Sequence, residues 1–207
     1  MRVITVLRDK IRQCNLDPSY FTKRGQLLRK AFGKHLLLTN TLSSGFLMGL
    51  GDYCQQRIEI FQGKSSDNAV DKRRTINMST VGLAHGIYHH FFYGWMDKRF
   101  PGRAVRQVMF KVLLDQLMAS PACMYIFFIG MGLLERRGYE SGWQEMKKKF
   151  LFCYTVDWIV WPPNQFINFY YVPAKYRVIY INSLTMLYDV FLSYVKFYDQ
   201  LDKDKSV

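Results

Sequence analysis

The sequence predicts an all-α membrane protein: a bundle of about four transmembrane helices with amphipathic or interfacial helices beside it. Three observations carry this. Charge is clustered, so that uncharged runs (histidine counted as neutral) occupy 35–51, 75–96, 116–134 and 158–174, and a further window, 178–195, is interrupted by Asp189 alone. A bilayer core about 30 Å thick needs ~20 residues of helix, and these runs of 17, 22, 19 and 17 residues crowd into a chain of only 207. Basic residues flank the runs at Lys30 and Lys34, Lys72, Arg73 and Arg74, Lys98 and Arg99, Arg136 and Arg137, Lys175 and Arg177, and Lys196, where anionic headgroups would meet them. Finally, 49% of residues are hydrophobic and 16% aromatic; the mean hydropathy of −0.11 is modest for a membrane protein, but the average misleads because the charges are clustered. Each run contains Ser, Thr, Asn, Gln or Gly, which suits helices that pack on one another or line a cavity rather than simple lipid anchors.

Residues 1–34 form a basic N-terminal segment with nine Lys/Arg against Asp9 and Asp17. Val3, Ile4, Leu7 and Ile11 share one helical face, an Arg-rich and acid-poor pattern that suits mitochondrial import; an ordinary surface helix is the alternative. The membrane domain covers 35–197 and a polar tail 198–207. In the first span, Gly45 and Gly49 have the small-x-x-x-small spacing of helix contacts, and Gly51-Asp52 is followed by Gln55 and Gln56. A polar linker with Gly63, Lys64, Ser65 and Ser66 leads to Asp71-Lys-Arg-Arg and the second span, which ends HGIYHHFFYGWMD. His85 and His89 are four apart, on one face, but no clear third metal ligand accompanies them.

Residues 98–114 read as a basic connector turning at Pro101-Gly102, with Arg103, Arg106 and Lys111 disposed toward headgroups or an RNA-rich partner. The third span opens with Lys111-x-x-x-Asp115-Gln116-x-x-x-Ser120-Pro121, in which Lys111 and Asp115 are spaced for a helical ion pair. Residues 139–157 read as an amphipathic, surface-lying helix that Ser141 could cap. It feeds 157–177, which holds two of the four tryptophans and three of the six prolines. Trp158, Trp161, Tyr170 and Tyr171 are the aromatics that collect at membrane interfaces. Pro162 and Pro163 lack N–H groups and disfavour an undisturbed helix, so this stretch reads as a broken or interfacial segment with Gln165 and Asn168 on one polar stripe. Asn182, Asp189 and Ser193 mark the last span. With spans at 35–51, 75–96, 116–134 and 178–195, 17 Lys/Arg lie on the side of both termini and 12 on the other, which puts the termini on the positive side.

The run Trp158-x-x-Trp161-Pro162-x-x-Gln165-x-x-Asn168-Phe169-x-x-Val172-Pro173-x-x-x-Arg177 resembles the signature of the Mpv-seventeen / peroxisomal membrane protein of 22 kDa family. Further matches are Gly51-Asp52 with Gln56, Gly86, His90, Tyr93 and Asp97 in the second span, Lys111 to Pro121 in the third, and the D-x-x-L-S-Y-x-K end of the last. Ile87 stands where the family has proline, Phe92 and Tyr188 where it has tryptophan, and Met96 where it has leucine. The run LLLTNTL with its following glycines resembles the second "like" branch. The resemblance implies small multi-pass proteins of mitochondrial inner or peroxisomal membranes, and Asp52, His90, Asp115, Gln116, Trp161, Pro162, Gln165, Asn168, Arg177 and Asp189 are the family-motif and candidate cavity-lining positions.

No nucleophile elbow, phosphate loop, paired-carboxylate pattern or H-E-x-x-H is present, so neither enzymatic activity, cofactor nor metal is expected. Cys14, Cys54, Cys123 and Cys153 have no framework spacing; Cys123 and Cys153 read as small buried apolar residues. Two functions follow. The resemblance implies association with the mitochondrial ribosome (rRNA and protein) and support of its assembly and of translation, with Arg103, Arg106 and Lys111 as contacts. The alternative is a weakly selective channel affecting membrane potential or metabolite movement. The expected partners are the lipid membrane, the ribosome and other copies of the chain, with no DNA contact. The mitochondrial inner membrane is the expected location and the peroxisomal membrane the alternative, although the C-terminus lacks the S-K-L address.

Overall fold

Helix breakers fall between the uncharged runs, and the helices end there. The computed structural model describes residues 30–63, 69–102 and 104–204, without the side chains of Lys175 and 196–204. The N-terminal amphipathic face, the linker at 64–66, Arg103 and Cys14 therefore lie outside the described residues, as do the side chains of Lys175 and Lys196. Five long helices follow in order: α1 (Leu36–Phe61), α2 (Lys72–Arg99), α3 (Val105–Leu134), α4 (Gly138–Tyr170) and α5 (Arg177–Asp204). No strand occurs among the described residues. Asp71 caps α2 by accepting from the N–H groups of Arg73 and Arg74 at 2.9 and 3.1 Å, which satisfies two of the orphan donors of a helix start. Gly102, at φ +114°, makes the expected turn before α3, where a side chain would be strained.

The small-residue signals act as read. A Cβ on Gly82 would sit 2.9 Å from Gly45 Cα, and one on Gly86 would sit 2.7 Å from Thr41 Cα. Only hydrogen at these positions lets α1 and α2 touch backbone to backbone. A Cβ on Gly142 would likewise lie 2.7 Å from the Phe128 carbonyl, so α4 packs against α3 from its first turn. The segment 139–157 is therefore a bundle member, with Cys153 wholly buried, and not a surface-lying helix. Ser141 is inside α4; Arg137 occupies its N-cap.

Two corrections concern spans. Among the described residues, only Val105–Leu134 (30 residues, its most apolar 18-residue stretch at mean hydropathy 1.8) and Arg177–Val195 (19 residues, 1.4 by the same measure) are both long and apolar enough to cross a membrane. Helices α1, α2 and α4 have 26, 28 and 33 residues, hence the length, but their polar groups lower the mean. Many of those polar groups point inward: Asn40, Asp52, Gln55, Asn77, Gln165 and Asn168 are buried, while Leu42, Phe46, Leu117, Leu151, Ile159 and Leu187 are exposed. Polar inside and apolar outside inverts the usual water-soluble arrangement. The connector 98–114 is also mostly helical, since α3 begins at Val105.

The second correction is Pro162-Pro163, which lies inside α4 instead of breaking it. Each proline removes one backbone hydrogen bond, a cost of about 3 kcal/mol or more in an isolated helix. Contacts on the same turns offset it: the Trp161 ring meets Tyr188 edge-on at 5.3 Å, and Gln165, Asn168 and Phe169 beyond the prolines are buried.

Candidate functional site

Pro121 has no N–H to give, and the chain adapts one turn upstream. Asp115–Ala119 is a π turn, in which the Ser120 N–H reaches the carbonyl of Asp115. The Gln116 carbonyl, denied the bond that residue 121 would have made, accepts instead from the Tyr154 hydroxyl at 3.2 Å. A π turn inserts a residue into the helix, and here it sets Asp115, Ala119, Ser120 and Cys123 along one cavity wall. On α1, Gly51 serves a parallel purpose. A Cβ there would lie 2.6 Å from Asp189 Cβ, so the glycine lets α5 come close and carries Asp189 into the interior.

The cavity has a volume of about 70 Å³, room for several waters at ~10–15 Å³ of probe volume each. Its polar wall comprises His85, His89 and Tyr93 from α2, Asp115, Ser120 and Cys123 from α3, Asp157 and Gln165 from α4, and Thr185, Tyr188 and Asp189 from α5. Met124, Phe127 and Phe128 supply an apolar floor. Gln165 Nε2 donates to Asp115 Oδ2 at 2.8 Å and to the Tyr93 oxygen at 2.6 Å. Asp157 accepts from the hydroxyls of Ser120 and Tyr188. His85 Nε2 lies 3.0 Å from the Cys123 carbonyl, and His89 Nε2 lies 3.3 Å from Cys123 Sγ. A second cavity of about 20 Å³ shares His85, His89, Thr185 and Asp189 and adds Ser44 and Asn182. No lysine or arginine lines either cavity among the described residues.

Two of the ion-paired clusters that stand apart from this cavity hold candidate positions expected from the sequence. Arg74 Nε meets Asp52 Oδ1 at 2.8 Å and its Nη1 meets Glu59 Oε2 at 2.9 Å, with Thr75, Gln56 and Ser193 also donating to Asp52. At the turn between α2 and α3, Asp97 accepts from Lys111 Nζ at 2.8 Å and from Arg177. Both cations lie over the Phe169 ring, at 5.7 and 5.3 Å, within cation–π range.

A sequence model of the Mpv17 / PMP22 family matches residues 132–193. PXMP2/4 family protein 2 of Dictyostelium discoideum is 33% identical over 84% of this chain and 89% of its own length. The chain belongs to the Mpv17 / PMP22 family. Peroxisomal membrane protein 2 of Bos taurus is 30% identical over 82% of this chain and 91% of its own, and the mitochondrial inner membrane protein Mpv17 of Bos taurus 27% over 80% and 93%. No solved structure matches.

The candidate positions expected from the sequence divide between cavity and clusters. Asp115, Trp161, Gln165 and Asp189 line the cavity. Asp52 belongs to the Arg74 cluster and Arg177 to the Asp97 cluster. Asn168 stands behind the wall, donating to Gln165 Oε1 at 3.0 Å; Pro162 shapes α4; Gln116 is buried outside the lining. His90 is a correction: its Nδ1 pairs with Asn40 Nδ2 at 3.0 Å on α1, and the cavity histidines are 85 and 89. One helical residue is about 100° of rotation, enough to move a side chain off the cavity. Lys111 is a second correction, since it pairs with Asp97 and not Asp115. At 1% exposure it offers nothing to a partner. Arg106 is exposed. Arg74 and Arg177, expected at headgroups, turn inward instead. Asp157, Tyr93 and Cys123 were not foreseen as cavity residues; the i,i+4 spacing of His85 and His89 was the signal that pointed to this wall.

Proposed function

We propose that this protein is a non-enzymatic, weakly selective pore of an organelle membrane, affecting membrane potential or the movement of small solutes. The observation carrying the reading is the pair of adjoining cavities inside an outwardly apolar bundle, the larger of them lined by Asp115, Asp157 and Asp189. Intramembrane polar groups of this kind normally mark solute paths. The mitochondrial inner membrane is the proposed location and the peroxisomal membrane the alternative, because relatives carry both addresses in their names. The test is planar-bilayer recording of the purified protein and of Asp115→Asn, whose fold is checked by thermal melting. A conductance that changes in size or ion preference supports the pore. Unchanged currents from a folded variant remove Asp115 from it, and a wild type without conductance ends the reading.

A second reading, support of mitochondrial ribosome assembly and translation, has one observation in its favour: exposed Arg106 on a chain of net charge +13. Burial of Lys111 takes away one of its three expected contacts. Co-sedimentation of solubilised protein with ribosomal subunits at low salt, lost at high salt, is the supporting result. Migration as a small particle at both salts ends it.

A further inference from the structure

We infer that the cavity between α2, α3, α4 and α5 holds a small hydrated inorganic cation, with Asp189 and Asp115 as its counter-charges. The proposal rests on the reading of this cavity as a solute path and names the class of solute.

The argument begins with unmet oxygens. Both carboxylate oxygens of Asp189 and Oδ1 of Asp115 are buried with no hydrogen-bond partner among the described residues. Both residues line the same cavity, and Asp189 is only 1% exposed. Other buried acids are met: Asp52 by Arg74 away from the cavity, and Asp157 on its wall by two hydroxyls. An uncompensated carboxylate in a low-dielectric interior is costly enough that a counter-charge or a proton must neutralise it. Water in the cavity satisfies lone pairs but leaves the charge. A proton removes the charge and hands its O–H to a cavity water; a cation answers both deficits as well, and the dependence of stability on the salt separates the two.

Its class follows from the ligand set. No group of three His, Cys, Asp or Glu side chains among the described residues is placed to hold a metal ion, so a tightly chelated transition metal does not fit. Volume for several waters beside two carboxylates suits Na⁺ or K⁺ that keeps part of its hydration shell. His85, His89 and Cys123 also line the cavity, and among the described residues its walls carry no ammonium or guanidinium to exclude the ion.

The experiment is thermal melting of the full chain in detergent at fixed ionic strength, in NaCl, KCl or N-methylglucamine chloride. The wild type is expected to melt about 4 °C higher in Na⁺ or K⁺ than in the bulky cation. Asp189→Asn should melt alike in all three and as high in N-methylglucamine as the wild type does in its preferred salt. The larger shift identifies the preferred ion. Equal wild-type melting in the three salts overturns the proposal, as does a full salt shift retained by the variant. If the variant does not fold, sodium NMR line broadening by the wild type, relieved by K⁺, decides the matter and its absence overturns. A salt-dependent Tm without bilayer conductance leaves the cation site standing and removes only the pore. Conductance without a salt-dependent Tm does the reverse.

Discussion

Asp52 and Asp189 are neighbours across the contact of α1 with α5, yet their surroundings are opposite. Asp52 is wholly buried and receives Arg74, Gln56, Thr75 and Ser193. Asp189, one helical turn before Ser193 and packed against Gly51, receives nothing from the described residues. A fully satisfied polar network rigidifies the fold it sits in. An unsatisfied one inside a native structure calls for a ligand, an ion or a switch. The same residue type within the same few turns thus serves as a clasp in one place and as a site in the other.

The largest effect should come from breaking the clasp. Arg74→Met leaves Asp52 and Glu59 buried without their cation, and removing one partner of a buried pair costs about 3–5 kcal/mol. Denaturant unfolding in detergent measures it, and combining Arg74→Met with Asp52→Asn and Glu59→Gln should recover much of the loss. A single variant within 1 kcal/mol of wild type would show that the cluster is ornamental. Asp189→Asn, in contrast, should cost nothing when no small cation is present.

A smaller effect tests how the two regions are held together. Gly51→Ala places a Cβ 2.6 Å from Asp189 Cβ and 3.0 Å from the Met186 carbonyl, so α5 must shift. Overpacking of this kind costs about 1–3 kcal/mol. Gly94→Ala is the control: a Cβ there meets nothing within 4 Å, and helix propensity alone should stabilise it by about 0.5–1 kcal/mol. Equal Tm values for the two variants would mean that the α1–α5 contact is not as close as described. The same melts in Na⁺ and N-methylglucamine reveal whether displacing Asp189 also weakens the cation response.

Much of the helical architecture was legible because it rests on local chemistry: charge-free runs, the Pro101-Gly102 turn, and the glycine spacing at 45 and 49. What escaped depends on how distant turns meet. Lys111 has Asp115 at helical spacing, but the hairpin between α2 and α3 returns Asp97 to it, and that acid also takes Arg177. Nothing within one helix reveals this. The Pro-Pro pair was a sound argument for a break in an isolated helix; packing of Trp161 and Gln165 on either side overrides it. The cavity wall needed knowledge of rotation as well as spacing, and the π turn before Pro121 alters that rotation midway along α3. Asp115, Gln165 and Asp189 were nameable because polar groups inside apolar runs stand out; Asp157, at the border of a run, did not.

The smallest change separates buried from exposed cations. Arg106→Ala removes an exposed side chain and should alter stability by less than about 0.5 kcal/mol. Lys111→Met removes a buried one and should be visibly destabilising, since Asp97 then keeps Arg177 alone. If the chain meets ribosomal RNA through this end, Arg106→Ala should lower the slope of log K against log salt by about 0.7–0.9, the contribution of one phosphate contact, while Lys111→Met leaves the slope unchanged. Binding titrations over a salt series read this directly. An unchanged slope for Arg106→Ala moves the contact to another basic surface. A reduced slope for Lys111→Met would contradict its burial, because an ammonium already spent on Asp97 inside the protein has no counterion to release.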